Sequence, residues 1–132
     1  MGSVTDYLLD THALLWWLFD DPRLSATARH TIANPDHRLW VSAASAWEIA
    51  TKARLGKLPE AGDVPTQLEA YLRKARFSEL AVTIEHSLRA GALPGPHRDP
   101  FDRMLIAQSI ITSYPVITVD PVFSEYGVPV LW

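Results

Sequence analysis

Short apolar stretches alternate with longer amphipathic ones along this chain, and that alternation limits its possible folds more than any other feature. "YLLD" (7–10), "RLWVS" (38–42), "ELAV" (79–82), "PVITVD" (115–120) and "VPVL" (128–131) have the length of strands rather than helices. Between them lie segments with helical signals. These are "THALLWWLF" (11–19), "LSATARHTIAN" (24–34), "ASAWEIATKARLGK" (44–57), "PTQLEAYLRKARF" (65–77), "TIEHSLRAGAL" (83–93) and "DPFDRMLIAQSIITS" (99–113). Ser25 and Thr83 read as N-caps, Asn34-Pro35 as a stop, and Gly56 as a helix end. Strands alternating with helices predict an α/β fold, a sandwich with a central, mostly parallel sheet flanked by helices. No repeat or linker interrupts the 132 residues, so residues 1–132 are read as a single domain.

Several function classes fall away early. The chain has no cysteine, which removes disulfides, thiolate metal sites and cysteine nucleophiles and fits a reducing compartment. The apolar run "ALLWWLF" (13–19) is too short to span a bilayer, and Asp6 and Asp10 stand where a signal peptide carries basic residues. The expectation is a cytoplasmic protein with no membrane partner. A net charge of −3 argues at first against nucleic acid. If about four carboxylates surround bound cations, however, the remainder is near +1 (−3 plus 4) and no longer repels phosphate.

In a parallel sheet, ligands gather outside the carboxyl ends of the strands. Asp10 closes the first predicted strand and Asp120 the fourth, so both should open onto one edge. Asp99 and Asp102 begin the helix that leads into the fourth strand. Asp99, ahead of Pro100, is explained as an N-cap with proline at N1. Asp102 falls on the first turn of a helix whose Met104, Leu105, Ile106, Ala107, Ile110 and Ile111 leave little polar face. A charge there needs pairing, hydrogen bonding or a metal. Asp10 and Asp120 can equally be caps at strand-to-helix turns. Glu48 precedes Lys52 by four positions, the favourable order for a surface ion pair, and points away from the Ala46/Ile49/Ala50/Ala53 stripe. Taken alone, Glu48 reads as structural. What such explanations leave over is that Asp10, Asp102 and Asp120 recur at segment ends sharing one sheet edge.

Other side chains carry less. His12, His30, His37, His86 and His97 never fall at a ligand spacing and read as surface or core histidines. Arg98, Arg103 and Lys52 lie near the acids in sequence and could neutralise them or grip phosphates, though each reads singly as a solvated charge. Trp16 and Trp17 point about 100° apart on a helix, so both are buried only if it packs on two sides; otherwise one ring awaits a partner. Trp40, Trp47 and Trp132 read as core or chain-end anchors.

Four segments in order, "LLDTHALLWWL", "SAWEIATKARLGKL", "DPFDRMLIAQ" and "ITVDPVFSEYGVPVLW", resemble PIN-domain proteins, specifically VapC-type toxin ribonucleases of bacterial toxin–antitoxin pairs, through essentially the whole chain. The resemblance implies a PIN-like α/β/α sandwich and an endoribonuclease. Carried onto this sequence, it assigns Asp10, Glu48, Asp102 and Asp120 to the family's acidic, magnesium-binding quartet, with Asp10 and Asp102 the principal ligands. For Glu48 it is the main warrant. It prefers Asp102 to Asp99, because the family's acid leads into the helix register held here by Leu105 and Ala107. The partners it implies are an RNA substrate, a cognate antitoxin and a second copy in a homodimer.

An all-carboxylate site selects hard cations, Mg2+ with Mn2+ as a substitute. Such ions can activate water, neutralise phosphorane charge and stabilise the leaving oxygen of a phosphodiester. Aspartyl phosphotransfer from Asp10 is disfavoured, since the haloacid-dehalogenase pattern wants an aspartate where His12 stands. Two alternatives remain open: a non-toxin RNA-processing nuclease with the same acids, and a non-catalytic PIN-like binding module.

Overall fold

A computed structural model of the chain describes residues 4–132; residues 1–3 of the single-domain span lie outside the described residues. Strands β1 (Thr5–Leu9), β2 (His37–Ser42), β3 (Ser78–Leu80), β4 (Val116–Ile117) and β5 (Val130–Leu131) hydrogen-bond into one sheet. Their order is β3-β2-β1-β4-β5, and every pairing is parallel. The helices are α1 (Thr11–Leu18), α2 (Ala26–Ala33), α3 (Ala43–Arg54), α4 (Val64–Ala75), α5 (Ile84–Ala92), α6 (Pro100–Thr112) and α7 (Val122–Glu125). All five expected strands and six expected helices form. The structure adds α7, where the sequence suggested only a turn, and a 3-10 turn over Pro59–Ala61.

Side chains on a strand alternate between its faces, which explains why the core divides in two. Leu9, Leu39, Val41 and Ile117 pack under α1–α4 with Ala13, Leu14, Ile32, Ile49, Val64 and Leu68. Leu8 and Val116 face the other way, against Leu105, Ile106 and Phe123 of α6 and α7. Helices therefore cover both faces, as a parallel sheet requires. The half-buried Trp16 and Trp17 both find cover on α1: Trp16 meets Trp132 edge to face at 5.7 Å, and Trp17 leans on Phe77 at 6.4 Å.

The expected caps form. Ser25 accepts from Ala28 N–H, and Thr83 and His86 close a reciprocal capping box at α5. One sequence expectation fails on α3. Its buried residues are Ala44, Ser45, Glu48 and Ile49, while Ala50 is exposed. The helix packs against α1, α4 and α6 as well as the sheet, so burial there does not follow the alanine stripe. Trp47, read as a core anchor, is 63% exposed on the same helix.

Strand order reverses between β1 and β4: the chain moves from β1 out to β2 and β3, then returns to the opposite side of β1. That reversal opens a crevice at the carboxyl ends of β1 and β4, the usual ligand position in such sheets. Among the described residues no helix is long and apolar enough to cross a membrane.

Candidate active site

Asp10 stands at this switch point. Its backbone N–H donates to the Ile117 carbonyl, extending the β1–β4 ladder, and its side chain turns to cap α1, accepting from Ala13 N–H at 2.7 Å. The second carboxylate oxygen accepts from the Thr118 hydroxyl. The strand-end and cap readings are thus both true of Asp10, which is 6% exposed. Burial pushes its carboxyl up to about 6, against the lowering effect of the Thr118 and Ala13 bonds, and Asp102 adds to the rise.

Asp102 reaches the same edge because α6 precedes β4 and runs antiparallel to it, which sets the helix N-terminus at the carboxyl ends of the strands. Asp99 caps α6, accepting from Phe101 N–H at 2.9 Å and Asp102 N–H at 3.3 Å, with Pro100 in the first turn. One turn in, Asp102 Oδ2 lies 3.0 Å from His97 Nε2. Desolvation raises the Asp102 carboxyl, the His97 bond opposes this, and Asp99, Asp120 and Glu48 push it further up. These acids therefore act on Asp102 from the same edge of the sheet.

Glu48 completes the group from α3, and the structure corrects its reading as a surface residue. The expected pair with Lys52 forms, but Glu48 is 4% exposed. The Thr11 hydroxyl donates to its Oε1 at 2.6 Å and lies 3.0 Å from the Ser45 hydroxyl. Burial disfavours the Lys52 charge, yet the bond to Glu48 and the pull of Glu48, Asp99 and Asp102 outweigh it, so its pKa is raised. Asp120 lies beyond β4 rather than at its end. Its N–H donates to Thr118 Oγ1 at 3.0 Å, and its carboxylate accepts from Val122 N–H at 3.0 Å, holding the turn into α7.

Four residues beside the acids were missed or misassigned from sequence. Thr11, Ser45 and Thr118 were not singled out, and His97 was set aside with the other histidines. Arg103, a candidate for neutralising the acids, does something else. Its guanidinium donates to the carbonyls of Ala90, Leu93 and His97 at 3.1, 2.6 and 3.0 Å, tying the end of α5 and the 93–97 loop to α6. Arg98 is exposed, with no hydrogen-bond or ion-pair partner among the described residues.

The cluster is all-oxygen in its donors and crowded with like charge. Among the described residues no three His, Asp or Glu side chains stand close enough to ligate one ion in these positions. Each acid is turned instead to a protein partner: Asp10 to Thr118, Glu48 to Lys52, Asp102 to His97 and Asp120 to the Val122 N–H.

Comparison with known proteins adds independent findings. The PIN domain family pattern matches residues 7–129. Ribonuclease VapC22 of Mycobacterium tuberculosis is 31% identical over 118 residues, covering 89% of this chain and 88% of that one. Ribonuclease VapC16 of the same organism is 35% identical over 79 residues, spanning 57% of this chain and 56% of its own. Two solved structures share the fold: VapBC2 from Rickettsia felis bound to a promoter DNA fragment, and a toxin–antitoxin complex from Klebsiella pneumoniae. The first has a TM-score of 0.69 at 13% identity over 96% of this chain and 98% of that chain. The second has a TM-score of 0.62 at 18% identity over 96% of each.

Proposed function

The chain belongs to the PIN-domain family, and from that premise we propose that it is a divalent-metal-dependent endoribonuclease, the toxin of a toxin–antitoxin pair. The observation that supports the catalytic part is that Asp10, Glu48, Asp102 and Asp120 sit on elements meeting near the β1/β4 switch point, with burial and neighbouring acids straining the Asp10 and Asp102 carboxylates. Such strain is costly in a purely structural cluster and is relieved when a cation neutralises it. The carboxylate donor set fits Mg2+, with Mn2+ as a substitute. Asp10 and Asp102 would be the principal ligands, and Glu48 and Asp120 would complete the cage or orient the attacking water.

When bound, the cation supplies charge to the scissile phosphodiester and lowers the pKa of a nearby water. The chain's own residues do the positioning. Thr118 and the Ala13 N–H fix the Asp10 carboxylate on the switch point. Thr11 holds Glu48 from one side while Lys52 balances its charge from the other. His97 holds the Asp102 carboxylate in place against the repulsion of the neighbouring acids. Lys52 and His97, set beside Glu48 and Asp102, would also offer two donors to an anionic substrate. RNA is the substrate because the two curated relatives are named ribonucleases. An antitoxin is the partner by analogy with the two complexes sharing the fold. The protein would act in the cytoplasm, as a homodimer.

The test is cleavage of total RNA by antitoxin-free protein with Mg2+ or Mn2+, with EDTA, and by Asp10→Asn purified identically. Discrete metal-dependent fragments absent from the variant support the assignment. No cleavage by folded, metal-supplemented protein refutes it, and equal activity in the variant refutes the carboxylate assignment.

A further inference from the structure

Beside the acid cluster lies a groove of about 570 Å³ between α3, α5 and α6, lined by Ala44, Trp47, Val82, Ala90, Phe101 and Met104, with Arg98 and Arg103 at its margins. The volume is in the range of small-ligand sites. Trp47 and Phe101 meet edge to face in it, with centroids 5.0 Å apart. Trp47 immediately precedes Glu48, and Phe101 immediately precedes Asp102. Neighbouring residues on a helix are about 3.8 Å apart at Cα and point about 100° apart. The aromatic pair and the acid pair therefore occupy adjoining faces of the same two helices. Leaving an indole 63% exposed there forgoes the burial that a tryptophan ordinarily gains, and nothing among the described residues covers it.

We propose that the Trp47–Phe101 groove is a nucleobase subsite: it stacks an unpaired base of the RNA strand next to the scissile phosphate, with Arg98 taking an adjacent phosphate. The inference rests on the ribonuclease reading and adds how the strand is held. Three features favour a single-stranded nucleotide as occupant. The rings offer π-surface, which every base can use without sequence readout. Arg98, exposed and without a described partner, supplies positive charge at the rim of an otherwise apolar groove. The groove also lies on helix faces adjoining those of Asp102 and Glu48, so a base seated in it brings the next phosphate toward them.

The experiment uses fluorescence anisotropy with an unstructured, labelled oligouridylate and a matched oligomer of abasic ribose phosphate. Binding is measured to Asp10→Asn protein, which cannot cut the probe, and to the same protein carrying Trp47→Ala or Trp47→Phe. Stacking on one aromatic side chain corresponds to roughly a 5- to 150-fold loss of oligouridylate affinity in Trp47→Ala. Most of that affinity should be kept in Trp47→Phe, with little change for the abasic oligomer in either. Because Trp47 is largely exposed, Trp47→Ala should fold, and its melting curve checks this. Equal affinity of folded Trp47→Ala for oligouridylate, or an equal loss for the abasic oligomer, overturns the subsite and leaves the nuclease reading intact. Failure of the wild-type chain to cut any RNA with metal overturns both.

Discussion

Replacing Asp10 by asparagine should make the metal-free protein more stable at neutral pH while abolishing cleavage. Burial raises the Asp10 carboxyl from 3.8 to about 6. The unfolded chain releases the same proton near its ordinary value, so between roughly pH 4 and 6 the folded state binds more protons than the unfolded one. Stability therefore falls as pH rises through that window. Above it, the folded state carries a penalty: a rise of about two pH units, at about 1.4 kcal/mol each, is about 3 kcal/mol.

Asparagine has no charge to desolvate, keeps an oxygen for Ala13 N–H, and caps a helix as well as aspartate does. Its weaker bond with Thr118 offsets about 1 kcal/mol, leaving a net gain of about 2 kcal/mol. For a domain of this size that raises Tm by roughly 4–12 °C. Melting curves of both proteins in EDTA from pH 4 to pH 8 read it directly. The gap should be widest at pH 7 and close toward pH 4, where both side chains are neutral. A variant less stable than wild type at pH 7, or a gap that ignores pH, would refute the electrostatic account of the site. Adding Mg2+ should then raise the wild-type Tm and leave the variant nearly unmoved, because only a state-specific ligand shifts the equilibrium.

Two further substitutions probe the supporting residues. Thr118→Val keeps the shape but removes the donor to Asp10, so the Asp10 carboxyl should titrate at still higher pH; carbon-detected NMR of metal-free protein measures this, and no upward shift would count against the hydrogen bond. Lys52→Met leaves the buried Glu48 charge without its cation and should cost about 2 kcal/mol in urea denaturation. That is below the range for fully buried pairs because the Lys52 side chain is 32% exposed. Adding Glu48→Gln should recover much of the loss, and a neutral Lys52→Met would mean the pair contributes nothing.

The fold was legible because its signals are local and repeated. Short apolar runs, N-caps at Ser25, Thr83 and Asp99, and a glycine past α3 each report on a few neighbouring residues, and they agree with one another. Where a signal was weak the reading slipped: "PVITVD" suggested six strand residues and only Val116–Ile117 pair as a strand, because Asp120 and Val122 close a turn immediately afterwards. Helix α3 misled for a different reason. Its alanines look like a core stripe, but alanine is small enough to tolerate either side, whereas the three-sided packing of α3 is a property of the assembled domain. Glu48 was therefore placed on the surface by periodicity, and only the resemblance brought it to the site.

The missed supporting residues follow from topology rather than from pattern. Thr118 is 108 positions from Asp10, and no window of sequence contains both. Once β1 and β4 are known to run parallel with Leu9 opposite Ile117, however, the next step of the same register sets Thr118 beside Asp10. A buried carboxylate at that step needs a donor from the neighbouring strand, and threonine supplies one while keeping the branched shape that strands favour. Thr11 stands in the same relation to Glu48: it follows Asp10 into α1, and α1 packs on α3. Asp10 and Glu48 thus each take a hydroxyl from the element packed against them, and the pairing of elements decides which residue that is. The acids can be nominated from sequence by their positions at strand and helix ends. Their partners become predictable only after the strand order is fixed, which is why the order β3-β2-β1-β4-β5 carries as much functional information as the acids themselves.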